Sequence, residues 1–440
     1  MRRRAAIVLL LVGLLLALGG TGAGQKVYLD INAPGFKRLP IAIAPLVNLA
    51  RQRGGDRVGE EIAQVLTYDL EASGLFKVLD PISFIEDPVV DARSLTGKEY
   101  RAQLRDVRKV AHRMANEILY QFTGEEGVFE TRIAFVSTRT GNKELFLMDY
   151  DGFGVQQLTS HRSINLSPAW TPDGRSLTFT SFRAGEPQLF RLNLAAGQLL
   201  RLSASPGLNV GAAWAPDGRR LALTLSRDGN PELYVMDRDG GGLQRLTRHP
   251  GIDVSPTWSP DGQEIAFVSD RTGNPQIFVL TLRTGDLRRL TFQGSYNASP
   301  AWSPRGDRIA YACRTESSFD ICTISPDGSN SQRLTFAAGN NEHPSWSPDG
   351  RHLVFASNRA TGRYALYRML ANGSNLTRIA KRGRPAYGSE AWRGRARIRF
   401  DNGLAPSAQW NAGSRISALL SGGQARGQHE RSQTVRRQLG

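Results

Sequence analysis

Five side chains recur at a fixed interval in this 440-residue chain: Asn165, Asn209, Asp253, Asn297 and Asn341 each stand 44 residues from the next. Amide and carboxylate groups repeated this regularly can do two kinds of chemistry. Each can cap a turn by bonding its own backbone two residues on, or the five together can offer hydrogen bonds to an inserted partner loop. His161 and His249 lie at matching places just ahead of Asn165 and Asp253, and His343 lies in another such segment. Three imidazoles around one opening could hold a metal, but no ligand pair has the spacing of a zinc motif. Polar loop histidines and no metal are therefore expected. The only cysteines, Cys313 and Cys322, sit on consecutive predicted strands. A disulfide across that hairpin and two buried free thiols are both open, because alternation along the strands leaves the geometry unsettled.

Catalysis finds less support. A propeller gating a serine peptidase needs a hydrolase domain with a G-x-S-x-G elbow, and the chain has neither the motif nor an unassigned segment long enough. A polysaccharide lyase calls for a recurrent Lys, Arg or His cluster to meet an acidic sugar, and none stands out in the repeats. The expectation is a binding protein without cofactor or enzymatic activity. A propeller-type carbohydrate-active enzyme or ligand-binding propeller is the alternative.

The elements that must position the five residues form a repeat. Trp170, Trp214, Trp258, Trp302 and Trp346 keep the same 44-residue spacing, as do Ile133, Leu177, Leu221, Ile265, Ile309 and Leu353. Such a period, made of short strands with a Trp-turn signature, indicates a β-propeller. Each unit carries four strand signals: A, an S-P-x-W run such as Ser167–Trp170; B, such as Ile265–Ser269; C, such as Leu233–Asp237; and D, an R-L-T run. Asp-Gly pairs such as Asp173-Gly174 join A to B as tight hairpins, and Arg305-Gly306 departs from that pattern. Strands B, C and D occur six times from Ile133. Strand A occurs five times, with a sixth copy, Ser389–Trp392, after the last D strand. The chain end is therefore expected to complete the first blade and close the ring, leaving no open edge. The entering loops His161–Leu166, Pro206–Val210, His249–Val254 and Ser295–Ala298 are the predicted partner surface, with the five Asx residues, His161 and His249 upon it.

The N-terminus, with Arg2, Arg3 and Arg4 before the apolar run Ala5–Leu18 and small residues after it, has the form of a cleavable export signal over 1–24. No other segment could span a bilayer. Strand, helix, strand, helix patterns over 25–124 indicate a small α/β domain: Pro40–Val47, Val58–Leu75, Phe76–Leu79 and Lys98–Phe122. The formal charge of +16 is unevenly placed, since residues 381–440 carry a net +9 and only about +4 falls on 5–380. With no basic face interleaved with aromatics, nucleic acid is not an expected partner. Residues 393–440, rich in Gly, Ser, Gln and Arg, cannot bury a core and are expected to be disordered. A genuine tail and an aberrant reading of the gene's end are both open.

Taken together, the export signal, VYLDINAPGFKRLPIAIAP, the small α/β domain, the linking residues Phe122–Ser137 and six units resemble the TolB family, periplasmic propeller proteins of the Tol–Pal cell-envelope system. The likeness runs over about residues 25–392. It implies a mainly β chain, a six-bladed propeller (125–392) preceded by a small, shortened α/β domain (25–124). The shortening lies at Pro81–Gly97, where the family carries a longer strand-rich stretch. The resemblance also implies a periplasmic adaptor that supports outer-membrane integrity and envelope constriction at division. A Pal-like lipoprotein would bind the propeller face. A TolA-like inner-membrane protein would bind the mature N-terminal stretch, here Gln25, Lys26, Val27, Tyr28, Leu29, Asp30, Ile31 and Asn32. Outer-membrane proteins are further candidate partners, and a monomer is expected.

Overall fold

Each 44-residue unit folds into a four-stranded antiparallel blade, and six blades make the ring. This computed structural model describes residues 37–43, 55–79, 106–315, 318–336, 339–379 and 391–392. The expected signal (1–24), the stretch Gln25–Asn32, Pro81–Gly97, Ser389 and the tail (393–440) lie outside the described residues. Blade 2 runs Asn165–Trp170 (A), Ser176–Ala184 (B), Glu186–Asn193 (C) and Leu199–Ser203 (D); blades 3 to 6 repeat the order, with A strands beginning at Asn209, Asp253, Asn297 and Asn341. In blade 1 the B, C and D strands are Arg132–Ser137, Glu144–Asp149 and Gln156–Gln157, and the A strand is Ala391–Trp392 from the far end of the chain. Trp392 pairs with Ile133 and Ala391 with Ala134, so the ring closes by strand exchange as its sequence implies.

The blades cohere through what alternation buries. Cross-strand aromatic pairs face each other on strands B and C: Phe135 with Phe146, Phe179 with Phe190, Phe267 with Phe278 and Phe355 with Tyr367. Such pairs add stability beyond the area they bury. In blade 5 the matching register position opposite Tyr311 is Cys322 instead, and Cys322 is joined to Cys313 by a disulfide with a Cα separation of 5.9 Å. Indole N–H groups stitch successive blades, with Trp258 donating to the Ala213 carbonyl at 3.0 Å and Trp346 to the Ala301 carbonyl at 2.9 Å.

The spacing predicts strand A over Ser167–Trp170, yet the strand begins two residues earlier, at Asn165, and bulges after Leu166. The bulge recurs in every full A strand, with Ser167, Ser255, Ser299 and His343 at φ of 51–57° and Gly211 at 66°. A non-glycine residue in the left-handed region costs of order 1 kcal/mol and persists only where its surroundings demand it. Here the bulge turns the preceding Asx inward.

The small domain is α/β, with helix α1 (Gly55–Ala72), helix α2 (Val107–Thr123) and a parallel pair of short strands, β1 (Leu39–Ile41) and β2 (Phe76–Val78). Helix α2 ends where Gly124 takes φ 68° and its N–H bonds the Tyr120 carbonyl. Leu70, Phe76, Met114 and Leu119 form one core with Phe135 and Tyr150 of blade 1 and Val354 and Leu366 of blade 6. The domain therefore sits across the seam where the ring closes.

Candidate functional site

Because the A strands are innermost, they wall a central channel of about 1400 Å³. Its wall is made of Pro168, Trp170, Trp214, Pro256, Trp302 and Pro344, among others. At the end where A turns into B, helix α2 brings Lys109, His112 and Arg113 to the cavity. At the other end lie the D-to-A loops and the B-to-C hairpins, because antiparallel strands return to the same side of a blade. That end carries every predicted partner residue among those described.

Asn165, Asn209, Asp253, Asn297 and Asn341 are 0–1 % exposed. They do not present their polar groups to solvent around a channel mouth, which corrects that part of the expectation. Instead each anchors a blade junction. Asn165 Nδ2 donates to Glu144 Oε2 at 2.9 Å, Asn297 Nδ2 to Gln276 Oε1 at 2.8 Å, and Asn341 Nδ2 to Asp320 Oδ1 at 3.1 Å. A hydroxyl two residues past strand D completes each group: Thr159 bonds Glu144, Thr291 bonds Gln276 at 2.8 Å, and Thr335 bonds Asp320 at 2.7 Å. Asn209 accepts from Ser203 at 2.6 Å and donates back to the loop at Ser205 and Gly207. Asn165 Oδ1 and Asn297 Oδ1 are buried without a partner among the described residues, but the bonds these side chains do make tie each entering loop to the blade before it.

One junction differs. Asp253 replaces the amide, and both its oxygens accept from Arg271 Nη2 at 2.8–2.9 Å. Glu232, its counterpart, accepts from Arg245 at 2.9 Å and from the His249 N–H at 2.8 Å through Oε1, while buried Oε2 has no partner among the described residues.

What these anchors hold out is apolar. The residue before four of the five Asx is Ile164, Leu208, Ile252 or Tyr296, and these are 44 %, 37 %, 43 % and 37 % exposed; before Asn341 stands polar Asn340. They form a broken ring at the open end of the channel, one at the entry to each of blades 2 to 5. The same interval that singled out the Asx residues would have found them. Beside the ring, Phe292 and Phe336 stand 72 % and 65 % exposed, each under an arginine, Arg289 and Arg333 respectively. His161 is exposed with Nε2 3.4 Å from Arg183, and half-buried His249 accepts the Gly251 N–H at 2.9 Å. Among the described residues no group of three or more His, Cys, Asp or Glu is placed to hold a metal.

A second site lies between the domains, and sequence reasoning missed it. His112 Nδ1 of α2 is 2.7 Å from Asp69 Oδ2 of α1, and Tyr150 of blade 1 donates its hydroxyl to Asp69 Oδ1. Asp151 lies 3.6 Å from His112 Nε2 and accepts from Arg108. Burial by itself would lower the His112 pKa, but the hydrogen bond and charge of Asp69, with Asp151, hold it above the ordinary histidine range.

Comparison with known families matches residues 119–392 to the TolB beta propeller domain and residues 27–106 to the TolB amino-terminal domain. The chain belongs to the TolB family. The Tol-Pal system protein TolB of Syntrophotalea carbinolica is 43 % identical over 206 residues, which cover 37 % of this chain and 47 % of that one. TolB of Geobacter sulfurreducens is 42 % identical over 195 residues, covering 35 % and 44 %. The chain thus spans about half the length of the relatives it matches by sequence. The crystal structure of TolB from Acinetobacter baumannii superposes with a TM-score of 0.69 at 26 % identity, covering 81 % of this chain and 97 % of that one. No helix among the described residues is long and apolar enough to cross a membrane.

Proposed function

We propose that this TolB-family chain is a periplasmic binding protein of a Tol–Pal system and not an enzyme. Its open propeller face takes a Pal-like lipoprotein, and the stretch Gln25–Asn32 takes a TolA-like inner-membrane protein. Residues 1–24 act as the export signal, 25–124 and 125–392 as the two domains, and 393–440 as an appended tail. The mature protein works as a monomer and supports outer-membrane integrity and constriction at division.

One observation carries the placing of the Pal-like partner. Ile164, Leu208, Ile252 and Tyr296 are large, exposed and backed by fully buried polar anchors. Rigid apolar anchors around a concave opening are what a hot spot requires. The predicted Asx residues then serve the interface indirectly, by fixing the loops, while His161 and His249 border it.

Binding of a purified Pal-like periplasmic domain to the double variant Leu208→Asp, Ile252→Asp tests this. Affinity should fall more than about tenfold, since such contacts are worth over 1 kcal/mol each, with thermal stability unchanged. Unchanged affinity would remove the partner from this face. Deleting Gln25–Asn32 should abolish TolA-like binding and spare Pal-like binding, and turnover of an oligosaccharide by the pure protein would overturn the adaptor reading altogether.

A further inference from the structure

The open face carries a recurrence of arginine that the near-balanced charge of the folded body does not reveal. Where strand B runs into its hairpin with strand C, beside the channel mouth, five of the six blades carry an arginine at the same 44-residue interval: Arg139, Arg183, Arg227, Arg271 and Arg359. Thr315 takes the sixth place. This recurrence is the basic cluster that the sequence reading did not recognise.

Four of the five guanidinium groups are held against their own blade or its entering loop, and the fifth, Arg227, lies 3.7 Å from Asp228. Arg271 and Arg359 reach the first residue of their own A strands, Asp253 at 2.8 Å and Asn341 at 2.8 Å. Arg183 touches His161 of the loop entering blade 2. Arg139 and Arg359 lie over the aromatic pairs of their blades, at 4.7 Å from the Phe146 ring and 5.3 Å from the Tyr367 ring. These contacts hold the cations in place, as an unsupported arginine on a loop would not be held.

The carboxylates at this end are largely committed. Asp253 is buried against Arg271, Asp270 accepts the Ile252 N–H at 2.7 Å, Glu342 accepts from Tyr364, and Asp228 accepts from Tyr234 and Arg245 and lies 3.7 Å from Arg227. Glu186 stands at the tip of the blade 2 hairpin. What faces an approaching partner is therefore an apolar ring inside an arginine collar.

We infer that the face is built for an acidic protein loop, whose apolar tip enters between Ile164, Leu208, Ile252 and Tyr296 while its carboxylates meet the collar. This deepens the docking proposed above and rests on it. A protein loop is favoured over an acidic polysaccharide because three of the four ring residues, Ile164, Leu208 and Ile252, are aliphatic and offer the hydroxyls of a sugar acid no hydrogen bond. Arginine is the cation suited to forked bonds with carboxylates, and a ring of one sign accelerates association by steering.

The test uses the full exported chain and the variant Arg183→Glu, Arg227→Glu, both exposed and neither bound to an Asx anchor. Association with the Pal-like periplasmic domain is followed from about 50 to about 500 mM salt, a range over which the Debye length falls severalfold. The wild type should associate more slowly as salt rises, and the variant about tenfold more slowly than wild type at low salt with the salt dependence lost. Equal, salt-independent rates in both proteins would overturn the acidic-loop inference and leave the docking surface standing. Failure of the wild type to bind at all, with Leu208→Asp, Ile252→Asp no different, would overturn the docking reading and this inference with it. Displacement of the domain by an acidic oligosaccharide such as oligogalacturonate would reassign the collar to a carbohydrate.

Discussion

Arg305 Nη2 lies 2.7 Å from Glu125 Oε2, and Arg351 Nη2 lies 2.8 Å from the same oxygen. Glu125 follows helix α2, while the two arginines stand in the A-to-B turns of blades 5 and 6, so one carboxylate ties the interdomain segment to two blades. Nearby, His352 Nε2 is 3.0 Å from the Ala72 carbonyl, and Asn375 Nδ2 donates to the Glu71 carbonyl at 3.3 Å. With Tyr150 on Asp69, these contacts span both sides of the seam. The described residues of the A strand there, Ala391 and Trp392, pair with Ala134 and Ile133. The small domain thus reinforces the ring at the seam where its two chain ends meet.

Glu125→Gln should therefore lower unfolding free energy by about 1–2 kcal/mol, with most of the loss on the Arg351 arm. Arg351 is 7 % exposed and Arg305 42 %; exposed pairs contribute under about 1 kcal/mol, and buried ones cost more when a partner is removed. Urea midpoints in a double-mutant cycle with Arg305→Ala and Arg351→Ala measure the two couplings. A larger coupling to Arg305 would contradict this account.

Asp253 gives a prediction of opposite sign for two changes at one position. Asn341 both accepts from Arg359 and donates to Asp320. An asparagine at 253 could likewise accept from Arg271 and supply the donor that Glu232 Oε2 lacks. Asp253→Asn should be neutral or stabilising by about 1 kcal/mol, the net worth of one hydrogen bond. Asp253→Ala, which leaves the Arg271 guanidinium without its carboxylate, should cost about 3 kcal/mol. Thermal melts of both variants decide it, and equal destabilisation by the two would refute the comparison between blades.

The repeat was legible because one apolar alternation, one Trp and one turn recur at a single interval, and that is enough to count blades and to find the missing A strand at Trp392. The inward turn of the Asx residues was not. It depends on the left-handed bulge at Ser167, Ser255 and Ser299, and serine carries no sign of that conformation. The collar escaped for another reason, since a net charge sums over the chain while Arg139 to Arg359 act by sharing one face. Asp69, His112 and Tyr150 come together only through tertiary packing, so no local spacing marks them. Arg305, by contrast, was visible as a departure from Asp-Gly, and its ion pair with Glu125 gives that departure its cause.

Replacing Cys313 and Cys322 with serine should cost about 2–3 kcal/mol by loop entropy alone for so short a closed loop. The loss should exceed that of a surface hairpin bridge, because Cys322 occupies the place where other blades pack an aromatic ring and both cysteines are buried. Hydrogen exchange should localise the effect to Ile309–Arg314 and Phe319–Ile324. A variant as stable as the parent would show that the aromatic position is dispensable in blade 5.

Stability should fall at both ends of the pH scale for separate, assignable reasons. Burial would raise the Asp349 carboxyl, but the hydrogen bond and charge of His352, the Ser347 hydroxyl and the Arg351 N–H hold it down to about 2. Its contribution, of order 2 kcal/mol for a shift of that size, is full above the ordinary aspartate value and is lost as pH falls through about 2. His112 works in the other direction. Asp69 and Asp151 raise it against the effect of burial, so the folded protein binds the proton more tightly than the unfolded chain. That contribution is full below about pH 6.5 and disappears as pH rises through the raised value. Urea midpoints followed across the range should show a flattened acid limb in Asp349→Asn and a flattened alkaline limb in His112→Gln. The gap between His112→Gln and wild type should be widest below pH 6.5, because only there is the imidazolium that Asp69 stabilises fully formed. A gap that widens with rising pH would mean that His112 is buried neutral, and that Asp69 is held by Tyr150 alone.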